Sequence, residues 1–199
     1  APGPRQVMKI FGKTGQVRRD FVWFGRYAAD GRFPLYRTFK DAYGNPRTKR
    51  GVRGAERPRE MPKWMRMVLD NISARHGLHE LNHVVLHRYI DGADKIGMHH
   101  DKWMDIAEGS TIVSLSVGAA RDFKFHKDTV LVEDGDVVMI SYDENKKCKH
   151  GVPERRRVKG TRYSLTARTI STFTDGLTHA TMSVASEVRS EGSEEQGRS

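Results

Sequence analysis

Between Asn82 and Ile170 the chain falls into short runs of strand character: NHVVLHRYI (82–90), STIVSLSVG (110–118), RDFKFH (121–126), TVLVE (129–133), DVVMISY (136–142) and TRYSLTARTI (161–170). Side chains alternate between the two faces of a strand, so runs of this length, rich in Val, Ile, Thr and aromatics and bounded by turn formers, read as strands. Asp134 and Gly135 stand between two of them as a hairpin turn. One helix precedes the series. That order predicts a mainly β, α+β domain, a sandwich or jelly roll with helical support on the outside. A length of 199 residues suits one such domain with tails.

The helix is MPKWMRMVLDNISARHG, where Trp64, Met65, Val68, Leu69 and Ile72 recur at helical spacing. Pro62 suits a first turn and Gly77 a C-cap. Its apolar stripe is expected to face the core. Upstream, residues 32–60 hold nine Arg or Lys against Asp41, Glu56 and Glu60, interleaved with Phe33, Tyr36, Phe39 and Tyr43 and broken by Gly and Pro. This segment reads as a basic, aromatic flap of short strands and loops. From about Thr174 onward Ser, Thr, Glu and Gly dominate, which predicts a disordered tail. The expected organisation is a lid-bearing extension over 1–60, a helix plus β core over 61–172, and a tail over 173–199.

A net charge of +10 attracts polyanions, of which nucleic acid is the leading one. No run approaches the length of a membrane span, and the N-terminus APGPRQVMKI lacks the apolar core of a secretory signal. An intracellular protein of cytoplasm or nucleus is expected, with no membrane partner. The single cysteine, Cys148, cannot form an internal disulfide and is left out of the site.

The run MHHD, residues 98–101, is the first chemical signal. In an extended segment His99 and Asp101 share a side and His100 takes the other. His150, in CKHGVPE, can supply a third ligand, with Gly151 and Pro153 forming a turn after it. Two imidazoles and one carboxylate with open positions suit non-haem Fe(II). Among nine histidines a lone His-x-Asp carries little weight. RYSLTAR, residues 162–168, adds to it: alternation places Arg162, Ser164, Thr166 and Arg168 on one face. Two guanidinium groups facing a metal call for an anionic guest, and a dicarboxylate fits.

Taken together, LHRYIDGADKIGMHHDK, STIVSLSVG, DGDVVMIS, KHGVPE and RYSLTAR, in this order and at these spacings, resemble the AlkB family of Fe(II)- and 2-oxoglutarate-dependent dioxygenases. The likeness covers about Leu81 to Ile170, with a looser one back to Phe21. It implies a double-stranded β-helix (jelly roll) core with a supporting helix and an N-terminal nucleotide-recognition lid. It also implies Fe(II) on His99, Asp101 and His150, chelated by the cosubstrate 2-oxoglutarate, with O2 as the oxidant. By motif position Arg162 resembles the residue that pairs with the distal carboxylate, Tyr89 a hydrogen-bond donor to the cosubstrate, and Arg168 the inner arginine near its metal-bound end. The chain departs from the family pattern at His87, where asparagine is usual, and at Ser164, where asparagine is frequent; both remain polar and are counted with the cosubstrate. A third departure is Trp103, two beyond the iron aspartate, where the bacterial repair enzyme has an acid that helps read the damaged base.

The implied reaction is oxidative demethylation of N-alkylated bases of the 1-methyladenine and 3-methylcytosine type in DNA or RNA, preferentially single-stranded. A base must leave its stack to be reached and is then held between aromatic faces. Tyr36, Phe39, Tyr43 and Trp103 are the candidate base contacts, and Arg37, Lys40, Arg47, Lys49 and Arg50 the candidate phosphate contacts. Two alternatives stand beside this reading. One keeps the iron chemistry but acts as an RNA modification eraser or hydroxylates protein or a small molecule. The other is an inactive core serving as a nucleic-acid-binding module.

Overall fold

The computed structural model describes residues 7–10, 13–16, 19–36 and 58–173. Strands β1 (Val7–Ile10) and β2 (Lys13–Gln16) pair antiparallel. After them come β3 (Asp20–Gly25), β4 (Arg59–Glu60), α1 (Lys63–His76), β5 (His83–Tyr89), β6 (Ile96–His99), β7 (Thr111–Gly118), β8 (Arg121–Phe125), β9 (Asp128–Val132), β10 (Val137–Ser141), α2 (Tyr142–Lys147), β11 (His150–Val152) and β12 (Arg162–Arg168). Six strands form the larger sheet in the order β10-β7-β12-β5-β3-β4, and four form the smaller in the order β6-β11-β8-β9.

Two apolar layers follow from strand alternation. On one face of the larger sheet, Val84, Val113, Leu165 and Ala167 pack with Met61, Met65 and Leu69 beneath α1. On the other, Tyr89, Ile112 and Ile140 meet Phe123, Val132 and Val152 of the smaller sheet. The functional side chains lie between the two sheets, among this second set. The jelly-roll expectation holds.

Pro62, extended at φ −66° and ψ 153°, is the N-cap of α1, and Gly77 closes it in the left-handed region at φ 60°. The buried stripe is narrower than the spacing predicts. Met65 and Leu69 are buried, whereas Trp64 is 55% and Met67 61% exposed, and Val68 also reaches solvent. The helix lies on one side of a sheet and buries a single narrow face there.

The Glu133–Asp136 turn is tight, with Asp136 N–H donating to the Glu133 carbonyl at 3.2 Å and Gly135 at φ 86°. It does not make a hairpin. β9 pairs with β8, and β10 pairs with β7, so the turn hands the chain from the smaller sheet to the larger. Ser116 main chain receives it, donating to Asp136 and accepting from Gly135. Likewise His150–Val152, expected to begin a turn, is a strand wedged between β6 and β8. A Cβ on Gly151 would stand 2.8 Å from the Ile96 carbonyl oxygen, so only glycine lets β11 approach β6 this closely.

Candidate active site

β6 ends at His99, which lies in register with His150 at the start of β11. Their rings are 4.5 Å apart between centroids. Two residues past His99 the chain leaves the strand with the Asp101 side chain buried between the sheets. His99 Nε2 is 3.5 Å and His150 Nε2 3.8 Å from Asp101 Oδ1, and the three ligand atoms all lie within 4.8 Å of one another. His99 Nδ1 donates to the Gly97 carbonyl at 2.8 Å, which leaves Nε2 with a lone pair for a metal. Burial lowers the His150 pKa to about 4, keeping that ring neutral and able to coordinate.

The second oxygen of Asp101 has a separate task. Arg168 donates to Oδ2 from Nε at 2.9 Å and from Nη2 at 2.6 Å. Burial by itself would push the Asp101 carboxyl up, but Arg168 and the two histidines outweigh it and hold it far below its usual range. The same pair raises Arg168 although burial opposes its charge. Oδ2 is therefore occupied by the protein, and Oδ1 faces the histidines. The donor set, its neutral imidazoles and its single ionised carboxylate fit Fe(II).

Two side chains hold this arrangement, one that sequence reasoning missed and one to which it gave another role. Asn145, fully buried in α2, accepts from Asp101 N–H at 2.9 Å and donates to the Asp101 carbonyl at 3.0 Å. Its own carbonyl accepts from His100 Nδ1 at 2.6 Å, which turns His100 away from the ligands. The legible signal was the capping box Ser141–Glu144, which starts α2 and so places Asn145 inside a helix. The other is Tyr36, expected as a base contact and found buried at 7% exposure. Its hydroxyl accepts from Lys102 N–H at 3.1 Å, and its ring lies 4.9 Å from the Arg168 guanidinium. It is packed behind Arg168 and His83 because the cation and the buried apolar surroundings offer the ring more than solvent does.

Arg162, Ser164, Thr166 and Arg168 line one wall of the cavity, with His87 and Tyr89 of β5 beside them. Register places Arg162 opposite Tyr89 and Ser164 opposite His87. Arg162 is 2% exposed, donates to Ser116 Oγ at 2.8 Å and lies 5.3 Å from the Tyr89 ring. No carboxylate pairs with it among the described residues, and its Nε and Nη1 have no hydrogen-bond partner there. A buried guanidinium with open donors and no acid fits a ligand carboxylate, which matches the distal end of 2-oxoglutarate. Ser164 Oγ and Ser114 Oγ share a hydrogen bond at 2.9 Å.

Trp103 is 38% exposed two residues past Asp101, its ring edge-on to His100 at 6.3 Å, and it is not among the residues that line the cavity. Arg37, Phe39, Lys40, Tyr43, Arg47, Lys49 and Arg50 lie outside the described residues. A third buried arginine, Arg121, was not singled out from sequence; it donates to the carbonyls of Asp91, Asp94 and Pro153 and ties the loop before β6 to the segment after β11.

The family model for the 2OG-Fe(II) oxygenase superfamily matches residues 32–168. The curated DNA oxidative demethylase ALKBH2 of Bos taurus is 34% identical over 141 residues, 62% of this chain and 51% of that protein. The proteins of the same name from Homo sapiens and Mus musculus are 35% and 38% identical over 117 and 103 residues, which is 52% and 45% of this chain and 44% and 43% of theirs. The chain thus spans about half the length of the curated relatives it matches. A solved structure of OsALKBH1 superposes with a TM-score of 0.52 over 85% of this chain and 83% of that one, at 18% identity, and so shares the fold.

Proposed function

Because the chain belongs to the 2OG-Fe(II) oxygenase superfamily and within it to the AlkB family, a group of Fe(II)- and 2-oxoglutarate-dependent dioxygenases, we propose that it oxidatively demethylates N-alkylated bases in nucleic acid. The observation that carries this reading is the 34–38% identity to three DNA oxidative demethylases, together with the His99–Asp101–His150 triad inside the matched oxygenase segment 32–168. The net charge of +10 supports a polyanionic substrate.

His99 Nε2, His150 Nε2 and Asp101 Oδ1 would hold the iron, and Arg162 would take the distal carboxylate of 2-oxoglutarate with Tyr89 beside it. When bound, iron, 2-oxoglutarate and O2 together supply the oxidation that hydroxylates an N-methyl carbon, with release of succinate, CO2 and, from the hydroxylated product, formaldehyde. Arg168 keeps Asp101 ionised and fixes which oxygen faces the metal. Ile112, Phe123, Val138 and Ile140 supply the apolar part of the cavity wall beside these polar groups. In this reading Trp103, exposed two residues past Asp101, contacts a base, and the basic, aromatic segment between β3 and α1 acts as the nucleotide lid.

The test is mass spectrometry of single-stranded DNA and RNA oligonucleotides carrying 1-methyladenine or 3-methylcytosine, incubated with protein, Fe(II) and 2-oxoglutarate. Loss of a methyl mass that needs 2-oxoglutarate and disappears in His99→Ala supports the proposal and ranks DNA against RNA. Turnover of 2-oxoglutarate to succinate with no oligonucleotide changed would move the substrate to protein or a small molecule. Binding of oligonucleotides with neither product would favour a nucleic-acid-binding module.

A further inference from the structure

One half-buried contact beside the cosubstrate wall is used by neither the iron triad nor the arginine pair. Arg19, just ahead of β3, reaches across to β5: its Nε–H donates to His87 Nδ1 at 3.4 Å, and its Nη1–H donates to the Lys95 carbonyl at 3.2 Å. The second bond anchors the guanidinium to the loop before β6, so the first is held in a fixed place. Phe21 lies in register with His87 and meets its ring edge-on at 5.8 Å, which limits the turning of the imidazole from the same strand.

The chemistry of imidazole gives this contact a consequence. Burial, with Arg19 and Arg168 nearby, keeps the His87 pKa well below its usual value, so the ring is neutral and carries one proton on one of two nitrogens. A nitrogen that accepts from Arg19 carries no proton, so the proton resides on Nε2. His87 lines the same cavity as Arg162 and Ser164 and faces Ser164 in register. This is the position at which the family pattern has asparagine, whose amide always offers N–H donors. A histidine offers a donor there only if its tautomer is set.

We propose that Arg19 is a positioning residue for the cosubstrate: by donating to Nδ1 of His87 it fixes the proton on Nε2, so that His87 presents 2-oxoglutarate with an N–H donor. The assignment rests on the cosubstrate reading of the cavity. It also means that the start of β3, the strand that follows the β1–β2 hairpin, helps shape the cosubstrate wall from a distance of 68 residues along the chain.

The test is calorimetric titration of 2-oxoglutarate into anaerobic, Fe(II)-loaded protein for wild type, Arg19→Ala, His87→Asn and the double variant. Arg19→Ala is expected to weaken binding about twofold, the factor by which a donor-bearing tautomer populated at about one half lowers the affinity. In the His87→Asn background the same substitution is expected to have little effect, because an amide needs no tautomer set. Arg19→Met, which keeps the length of the side chain but has no N–H donor, is expected to behave as Arg19→Ala does, and thermal unfolding checks that all variants fold. Nitrogen NMR of histidine-labelled, Zn(II)-substituted protein is expected to show His87 protonated on Nε2 in wild type and redistributed in Arg19→Ala. Equal losses in both backgrounds, or an unchanged tautomer, would overturn the proposal for Arg19 alone. Absence of 2-oxoglutarate binding by wild type would overturn it together with the cosubstrate reading.

Discussion

The two ends of β12 each carry a buried arginine, and they differ in what stands beside them. Arg168 forms two hydrogen bonds to Asp101 and leans on Tyr36, so its charge is matched within the protein. Arg162, six residues along the same face, has a serine hydroxyl and a tyrosine ring, with two of its nitrogens unsatisfied. Desolvation is costly for both. Only one is compensated before a ligand arrives. The contrast separates structural from ligand-binding roles in a strand whose alternating pattern treats the two arginines alike.

The largest effect expected from this contrast is on Arg168. Its replacement by alanine leaves the Asp101 carboxylate buried without a cation, and a loss of about 3–5 kcal/mol is expected in denaturant unfolding of the apoprotein. Wild-type stability in that variant would break the comparison. Arg162→Met sharpens it from the other side. The apoprotein is expected to be as stable as wild type or more so, since an unpaired buried charge has been removed, while 2-oxoglutarate affinity falls by about 2–3 kcal/mol as judged by calorimetry.

Asn145→Ala comes next. It strips both hydrogen bonds from the Asp101 main chain, and a loss of about 2 kcal/mol in stability is expected, together with weaker metal binding in a competition titration. The smallest effect concerns pH. His83 sits behind Arg168 beside Tyr36, and burial lowers its pKa to about 3. Below about 6.5 the unfolded chain takes up a proton that the folded state refuses, so stability is full above that value and declines as pH falls toward 3. Between pH 6.5 and 5 this contributes a loss of about 1–2 kcal/mol. His83→Asn is expected to flatten that part of the stability profile, and an unchanged slope would remove His83 from the Arg168 side of the comparison.

What the sequence made legible was whatever repeats with the period of a strand. The alternation in RYSLTAR put Arg162, Ser164, Thr166 and Arg168 on one face, and the structure places all four in the cavity wall. The six strand-like runs correspond to β5, β7, β8, β9, β10 and β12 within a residue or two at each end. The pairing of those strands was not legible locally. The Asp134–Gly135 turn has the composition of a hairpin and instead crosses between sheets, because β9 is already paired with β8 across the His126–Lys127 turn and β10 finds its partner in β7, further upstream. The supporting shell was hidden for a similar reason. Asn145 meets Asp101 across 44 residues and Arg19 meets His87 across 68, and neither contact leaves a periodic trace. Tyr36 shows the limit of composition: an aromatic in a basic segment suggested base contact, whereas its place is decided by the cation it packs against.

The central claim, that the cavity is complete at Arg168 and awaits a dicarboxylate at Arg162, is tested most directly by thermal unfolding of metal-loaded wild type and Arg162→Met, each with and without 2-oxoglutarate. Ligand that binds only the folded state at about 100 times its dissociation constant adds about 2.7 kcal/mol, so a clear rise in unfolding temperature is predicted for wild type and little or none for Arg162→Met. An equal rise in both proteins would contradict the claim.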